Sequence, residues 1–310
     1  MTAADGAVAT RATTTIFSHG RGPPESVLRA FEVTSSVLPL PGGITDSTFV
    51  SGNRVLKQAH DDAEAQWAAS LLSETAFQSS IYRIPRPVPS DFDPKTFVVE
   101  SWACSEFVAG KAIPQTMDQW RDLITAARAF HSALRFAVPS KPTFLETRFH
   151  RWDHAAHAAF DECPIPNLPD DALHMLNRLG DLHKLIERLP NDDKLNDVDL
   201  RPQLVHSDLS GNVLFADGQP PAIIDFSPMW RPVAWAEAIV VSDGLVEYGA
   251  DGQLIELVGS NKGRLRMLHK AMLFRVISDW LGDEHSMSGM RPKWSAAIEL
   301  VQAVVANLLT

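Results

Sequence analysis

One stretch constrains this chain more than any other, residues 203–227, which read QLVHSDLSGNVLFADGQPPAIIDFS. Apolar residues lead into Asp208, a tight loop follows, and two short strands then flank a turn at Gly218. A hairpin of this kind places Asp208, Asn212 and Asp225 near one of its ends. Two carboxylates and a carboxamide make an oxygen-rich site. Such a site suits Mg²⁺, because this ion binds through a few carboxylates, water and substrate phosphates.

The part of the chain before Gly110 is rich in turns and in β-forming residues. Glycines punctuate short apolar runs there, which is typical of hairpins, and three closely spaced prolines cannot continue a helix. The predicted elements are strand pieces at Thr48–Val50 and Arg54–Lys57, a helix over 61–74, an extended linker at Pro85, Pro87 and Pro89, and a strand over Phe97–Val108.

Beyond Gly110 the sequence is mainly helical. Thr116 and Gln119 have the spacing of a capping box, which predicts where the first helix begins. Its apolar face has a 3.6-residue period and comprises Trp120, Leu123, Ile124, Ala127, Phe130 and Leu134. Similar stripes run through 171–189, 264–281 and 294–309, and strand pieces interrupt them at Gln203–Val205, Val213–Phe215 and Ala222–Asp225. The pattern predicts a small β-rich lobe followed by a larger α-rich lobe with a short β insertion.

Composition narrows the class of protein. The formal net charge is −10, which disfavours binding to nucleic acid. No run of about 18 apolar residues predicts a membrane helix. Cys104 and Cys163 are too few for a disulfide scaffold and lack an activating basic neighbour, so we expect two inert thiols and a cytoplasmic protein. Residues 1–22 are interpreted as a mobile tail.

The segments HSDLSGNVLF and IIDF together resemble the catalytic loop and the metal loop of the aminoglycoside phosphotransferase/choline kinase family, which has the protein-kinase-like fold. The resemblance implies an ATP-dependent enzyme in which Asp208 orients or deprotonates the substrate hydroxyl. It also implies that Asn212 and Asp225 bind Mg²⁺ and that His206 supports the loop.

Other segments occur in the order that this family shows, over roughly residues 40–245. Lys57 resembles the strand lysine that binds ATP phosphates, and Glu64 resembles its glutamate partner, with Asp61, Asp62 and Glu74 as competing partners. EFVAG at 106–110 resembles the hinge that meets adenine through its backbone, and AARAFHSAL at 126–134 resembles the helix after the hinge. The resemblance thus implies a nucleotide site built from Lys57, Glu64, Gly42, Gly43, Ser47, Thr48, Glu106 and Val108.

The implied fold class is α+β, with two lobes. Residues 23–108 would form the β-rich nucleotide-binding N-lobe, and residues 109–310 the mainly helical C-lobe with the catalytic loop, the metal loop and the substrate helices. The Trp230-Arg231-Pro232 segment and the GG turn ahead of the lysine resemble an uncharacterised, actinobacterial-type branch of this superfamily. No long activation segment ending in A-P-E follows Asp225, which favours a small-molecule hydroxyl acceptor over a protein substrate.

Two features depart from the family pattern. Asn212 lies four residues after Asp208, whereas the family spacing is five, and the phosphate loop after Gly43 lacks further glycines and contains Asp46. These features support an alternative function, a non-catalytic nucleotide-binding protein on the same fold.

Two side-chain clusters have competing interpretations. His150, His154 and His157 lie at helical spacing and could bind zinc, but a solvated or partly packed face is the default. Carboxylates of the C-terminal helices could bind a cationic acceptor such as an amino sugar or an amino alcohol, or could be solvated helix faces. The carboxylates in question are those of Asp243, Glu247, Asp279, Asp283 and Glu284.

Overall fold

The computed structural model describes residues 22–40, 47–114, 116–191, 198–282 and 291–310. The chain folds into two compact units. The first comprises the described residues up to Gln66 together with Val88–Phe107, and the second comprises Trp67–Pro87 and Val108–Thr310. Several residues singled out above lie outside the described ranges, namely those of the tail up to Arg21, Gly42, Gly43, Asp46, Asp283 and Glu284.

The elements up to Phe107 centre on an antiparallel sheet. They are α1 (Glu25–Ala30), β1 (Leu38–Pro39), β2 (Thr48–Ser51), β3 (Arg54–Gln58), α2 (Asp62–Leu72), a 3₁₀ turn (Thr75–Phe77), β4 (Pro87–Val88), β5 (Val98–Val99) and β6 (Trp102–Glu106). The sheet order is β1-β2-β3-β6-β4, with β5 paired to β6. Both strands of the predicted hairpin are confirmed, and the turn between them has Gly52 at φ 58°. A small core of Val27, Phe31, Phe49, Leu56, Trp102 and Cys104 supports the sheet.

Two expectations for this unit are refined. The single strand predicted over Phe97–Val108 is split into β5 and β6, because Glu100 and Ser101 form a turn with φ of 48° and 63°. Cys104 is buried, and burial raises the pKa of its thiol to about 12, so the thiolate is suppressed.

The second unit is mainly helical. It includes the end of α2 from Trp67 and the 3₁₀ turn at Thr75–Phe77. Its other elements are α3 (Met117–Ala137), α4 (Phe144–Thr147), α5 (Arg151–Ala159), α6 (Asp170–Glu187), a 3₁₀ turn (Val198–Leu200), β7 (Pro202–His206), β8 (Val213–Leu214), β9 (Ala222–Ile223), β10 (Pro228–Pro232), α7 (Val233–Val246), α8 (Gln253–Val258), α9 (Lys262–Trp280) and α10 (Arg291–Leu308). No helix in the described ranges is long and apolar enough to cross a membrane.

The predicted start and apolar face of α3 are confirmed. The Thr116 hydroxyl accepts a hydrogen bond from the Gln119 amide at 3.2 Å, and the whole predicted stripe is buried. α7 differs from the other helices because all of its residues are buried. A helix that is buried around its whole circumference lies at the centre of a domain, and α7 packs against α8, α9, α10 and β7.

Two antiparallel strand pairs carry the residues that follow β7. β8 pairs with β9, as the predicted hairpin requires, whereas β7 pairs with β10 over the register His206–Pro228 to Pro202–Pro232. The sequence analysis did not predict β10, which contains Trp230-Arg231-Pro232, because its two prolines argue against a strand. The β7–β10 pair fixes the chain on both sides of the β8–β9 hairpin.

Gly110 allows a close approach of backbone to β8. It has φ 157°, and an added Cβ would lie 2.7 Å from the Leu214 Cβ and 3.0 Å from the Phe215 carbonyl oxygen. The neighbouring Lys111 exchanges both backbone hydrogen bonds with Phe215, at 2.8 and 2.9 Å. The carbonyl and the Leu214 backbone cannot yield as a flexible side chain would.

Gly110→Ala is therefore expected to lower the free energy of unfolding by about 1–3 kcal/mol, measured by urea denaturation. Gly180→Ala in α6 is the matched control, since no atom lies within 4 Å of its added Cβ. This control should be neutral or stabilising by about 1 kcal/mol. Equal destabilisation by both variants would contradict the steric explanation.

Candidate active site

Asp208 lies in the loop between β7 and β8, and its carboxylate is held from two sides. Oδ2 accepts a hydrogen bond from Asn212 Nδ2 at 3.1 Å, and Oδ1 accepts one from Arg275 Nη2 at 2.7 Å. Asn212 Nδ2 also donates to the Asp208 carbonyl at 2.8 Å, which closes the short loop. The Asp208 side chain is still 43% exposed, so a ligand can reach it.

His206 joins the two loops that the sequence singled out. Its Nδ1 accepts a hydrogen bond from the Asp208 amide at 3.2 Å, and its Nε2 donates to the Ile224 carbonyl at 3.0 Å. These partners assign the tautomer that carries its proton on Nε2. The contacts agree with the supporting role that the family resemblance implies for this residue.

His131 supports His206 from α3. It is buried, and its Nε2 accepts a hydrogen bond from the His206 amide at 3.1 Å. Burial lowers the pKa of His131 to about 3, and the neighbouring His206 adds to this effect. His131 is therefore neutral at ordinary pH, as its acceptor role requires.

Asp225 follows β9 and has φ 51°, a backbone conformation that residues other than glycine rarely adopt. Its side chain is exposed. The preceding Ile224 amide donates to the Asn212 carbonyl at 2.9 Å, so the two candidate metal ligands lie at the same end of the β8–β9 hairpin. Strained backbone of this kind is concentrated at functional sites.

The donor set at this end of the hairpin fits Mg²⁺. It offers the carboxylate of Asp225 and the amide oxygen of Asn212, both hard oxygen ligands. The described residues contain no group of three or more His, Cys, Asp or Glu side chains that could bind a metal. A site with only two protein ligands is compatible with Mg²⁺, because this ion keeps several waters and binds substrate phosphates.

The candidate nucleotide residues lie elsewhere in the chain. Lys57 is in β3, where it pairs with Thr48 of β2 and Ala103 of β6, and Gln58 donates its amide to the Ser47 carbonyl at 3.1 Å. The predicted phosphate-loop residues Ser47 and Thr48 thus lie beside the predicted lysine. The assignment of this site remains a prediction.

The other candidate nucleotide residues occupy the start of α2 and the end of β6. Glu64 lies in the first turn of α2, where its amide donates to Asp61 Oδ1 at 2.9 Å. Asp62, a competing partner for Lys57, accepts a hydrogen bond from Ser101 Oγ at 3.1 Å. Glu106 ends β6, and Val108 begins the next stretch of the second unit.

An acidic pocket of about 210 Å³ opens beside Asp208. Three further carboxylates line it, from Asp243 in α7, Glu247 at the end of α7 and Asp279 in α9. Burial raises the pKa of Asp279 to about 6, and the charges of Asp243 and Glu247 add to the rise, although Arg275 opposes it. The sequence singled out all three carboxylates, and the structure brings them to one pocket.

The sequence analysis missed Arg275, which also lines this pocket. Its guanidinium binds Asp243 through Nε at 2.8 Å and Nη2 at 2.6 Å, besides the contact with Asp208. One signal was available, since Arg275 interrupts an apolar run, AMLFRVI, in a segment predicted to be a helix with an apolar stripe. A charged residue at such a position needs a buried partner.

The three histidines at helical spacing are engaged in separate contacts. His150 precedes α5 and caps it, with Nδ1 accepting from the Asp153 amide at 3.2 Å. His157 Nδ1 lies 2.6 Å from Glu162 Oε2, and the His154 ring packs edge-on against Phe149. These contacts are those of a packed, partly solvated helix.

The fold is similar to that of solved small-molecule phosphotransferases. An aminoglycoside phosphotransferase from Alicyclobacillus acidocaldarius superposes with a TM-score of 0.58 at 15% identity, covering 94% of this chain and 96% of the other. Spectinomycin phosphotransferase APH(9)-Ia, in complex with ADP and spectinomycin, gives 0.56 at 15% identity, with 91% and 97% covered. The chain has the aminoglycoside phosphotransferase fold.

The aminoglycoside phosphotransferase fold extends to a second group of enzymes. A choline/ethanolamine kinase family protein from Mesorhizobium loti gives a TM-score of 0.50 at 17% identity, covering 89% of this chain and 93% of that one. No family model and no curated protein sequence matches the chain. The predicted fold, with its β-rich N-lobe and larger helical C-lobe, is confirmed. The resemblance to one branch of the superfamily stays a prediction.

Proposed function

We propose that this protein is a small-molecule kinase that transfers the γ-phosphoryl group of ATP, with Mg²⁺, to a hydroxyl group of a cationic acceptor. The observation that carries the proposal is the position of Asp208. Its carboxylate lines the acidic pocket, and its loop is joined through His206 to the loop of Asp225. A candidate base, a pair of candidate metal ligands and a candidate acceptor pocket thus occur within one unit of the chain.

The proposed chemistry assigns one role to each group. The acceptor hydroxyl oxygen attacks the γ-phosphorus, its proton passes to Asp208, and the bond from the γ-phosphorus to the bridging oxygen breaks to release ADP. Phosphoryl transfer requires mainly positioning and neutralisation of charge. Lys57 would bind ATP phosphates with Glu64 as its partner, and Mg²⁺ held by Asn212 and Asp225 would neutralise phosphate charge.

The pocket supports a cationic acceptor. Asp243 is bound by Arg275, which leaves Glu247 and Asp279 without an ion pair among the described residues. Each could form a charge-assisted hydrogen bond with an ammonium group. An amino alcohol or an amino sugar carries the two groups that this arrangement requires, an amine and a hydroxyl.

A matched-pair screen tests the proposal. ADP release and a phosphate-ester ³¹P signal are measured with glucosamine against glucose and with ethanolamine against ethylene glycol, because each pair differs chiefly in the amine. We expect Mg²⁺-dependent turnover with an amine and weaker turnover with its neutral partner. ATP binding without turnover across a broad panel of hydroxyl compounds would refute the kinase and support the non-catalytic alternative. Turnover only of neutral or anionic acceptors would refute the charge argument alone.

Asp279 gives acceptor binding a pH dependence. Because its pKa is about 6, lowering the pH from 7.5 to 5.5 protonates most of this carboxylate and weakens its attraction for an ammonium group. The KM for an amine acceptor should rise roughly fourfold, the ratio of the ionised fractions at these two pH values. The measurement is KM against pH at saturating ATP.

Asp279→Asn should raise that KM at pH 7.5 and flatten its pH dependence, with KM for ATP unchanged. Glu256→Gln is the matched control, since Glu256 is an exposed carboxylate of α8 that does not line the pocket. A KM that keeps its full pH dependence in Asp279→Asn would show that another group titrates.

A further inference from the structure

Arg275 is a largely buried cation, with a side chain 15% exposed, and it lies between two carboxylates of different character. Asp243 is buried and receives two of its N–H groups, at 2.8 and 2.6 Å, as a bidentate pair. Asp208 is partly exposed and receives one N–H from Nη2 at 2.7 Å. A guanidinium donates through a rigid planar fork, so fixing it on Asp243 also fixes the direction in which Nη2 points. Asp243 therefore fixes the guanidinium of Arg275, and this guanidinium in turn orients the carboxylate of Asp208.

The charges explain why this arrangement is stable. Burial opposes a charge on Arg275, but the Asp243 and Asp208 carboxylates outweigh burial and raise the pKa of its guanidinium above the usual value. Arg275 thus remains charged at any working pH. Without it, Asp243 would be a buried carboxylate with no counter-ion, and such groups are strongly disfavoured.

We propose that Arg275, anchored by Asp243, is a positioning residue that sets the orientation of the Asp208 carboxylate toward the acceptor hydroxyl. The proposal rests on the kinase function proposed above and adds two residues to it. Arg275 binds Oδ1 and Asn212 binds Oδ2, so contacts on both oxygens restrict rotation of the carboxylate about its Cβ–Cγ bond.

Loss of this orientation should lower the turnover number. Misplacing a catalytic group by about 1 Å can lower the rate about 10²-fold. Removing Arg275 also removes a positive charge from an acidic pocket, which should leave the binding of a cationic acceptor unchanged or strengthened. A lower turnover number without weaker acceptor binding therefore indicates a loss of positioning, whereas damage to the pocket would weaken acceptor binding as well.

Arg264 provides a matched control in the same helix. It too bridges two carboxylates, with Nη1 to Glu237 Oε2 at 2.7 Å and Nη2 to Asp199 Oδ2 at 2.8 Å. Its side chain is 10% exposed, against 15% for Arg275. Unlike Arg275, Arg264 does not line the acidic pocket. Replacing it therefore removes a comparable set of ion pairs from α9 while leaving the pocket lining unchanged.

The test compares Arg275→Met, Arg275→Lys and Arg264→Met in the full-length protein, with the amine acceptor that the screen identifies. We expect Arg275→Met to lower kcat by about 10–100-fold, with KM for ATP unchanged and KM for the amine not raised. Arg275→Lys should recover part of kcat, since it restores the charge but not the fork. Arg264→Met should lower the melting temperature and retain kcat. If Arg275→Met does not fold, the test rests on Arg275→Lys and Asp243→Asn, each of which should lower kcat by a smaller factor than that expected for Arg275→Met, with KM for ATP unchanged.

The outcomes separate this proposal from the function on which it rests. Turnover by the wild-type protein together with an undiminished kcat in folded Arg275 variants would overturn the positioning role alone. Equal losses of kcat in Arg275→Met and Arg264→Met would also overturn it, because the effect would then be general to the helix. No turnover by the wild type with any acceptor would overturn the kinase and, with it, the positioning role.

Discussion

Asp208→Asn is expected to lower the turnover number by about 10²–10⁴-fold, the usual contribution of a general base. Asparagine preserves the size of the side chain and can still accept from Arg275, but it cannot take up the hydroxyl proton. The KM for ATP should stay close to the wild-type value, because Asp208 belongs neither to the predicted nucleotide-binding residues nor to the predicted metal ligands. The measurement is steady-state kinetics with varied ATP and, separately, varied acceptor.

Asp217→Asn is the matched control for this experiment. Asp217 lies in the turn of the same β8–β9 hairpin, away from the end that carries Asn212 and Asp225. The control should keep the wild-type kcat. If Asp208→Asn retains full turnover, Asp208 is not the base. If Asp217→Asn loses as much turnover as Asp208→Asn, the loss reports damage to the hairpin instead.

Asp225→Ala is expected to abolish Mg²⁺-dependent nucleotide binding, because it removes the only carboxylate from the predicted metal-ligand set. The expected readout is the stabilisation of the protein by ATP in a thermal-shift titration with and without Mg²⁺. The wild-type protein should be stabilised more when the ion is present. In the variant the two titrations should coincide.

Two companion variants make the metal assignment specific. Asp225 has φ 51°, a conformation that asparagine tolerates better than alanine, so Asp225→Asn removes the charge with less strain on the backbone. It should lose Mg²⁺ dependence as well. Asn212→Ala should have a smaller effect on Mg²⁺-dependent binding, because the loop between Asp208 and Asn212 is one residue shorter than the family pattern. A larger effect from Asn212→Ala would make Asn212 the principal ligand.

Local sequence patterns predicted most of the secondary-structure elements, because the residues that decide each of these elements are close together in the chain. The face of α3 followed from a 3.6-residue period, and its start followed from Thr116 three residues before Gln119. The β8–β9 hairpin followed from short strand-forming runs on either side of Gly218. In each case the residues that decide the structure are close in sequence, so spacing alone is informative.

The features that the sequence did not reveal depend on distant partners. β10 is a strand because β7 supplies its partner, with Trp230 opposite Leu204. Its own sequence contains two prolines and gives no local indication of a strand. Arg275 meets Asp208 across 67 positions of sequence and meets Asp243 across 32. Periodicity placed the residue within a helix, but only the packing of α7, α9 and the loop between β7 and β8 determines what it binds.

The imidazole of His206 has a consequence for how mutations at this site combine. It accepts from the backbone of the loop that carries Asp208 and donates to the carbonyl that precedes Asp225. A displacement of either loop is therefore transmitted to the other through the His206 ring, so the two loops are coupled. The free-energy changes caused by mutating Asp208 and Asp225 should consequently be non-additive, and a double-mutant cycle between these residues should measure a coupling energy. This coupling energy should become smaller when His206 is replaced by a side chain that cannot both donate and accept a hydrogen bond.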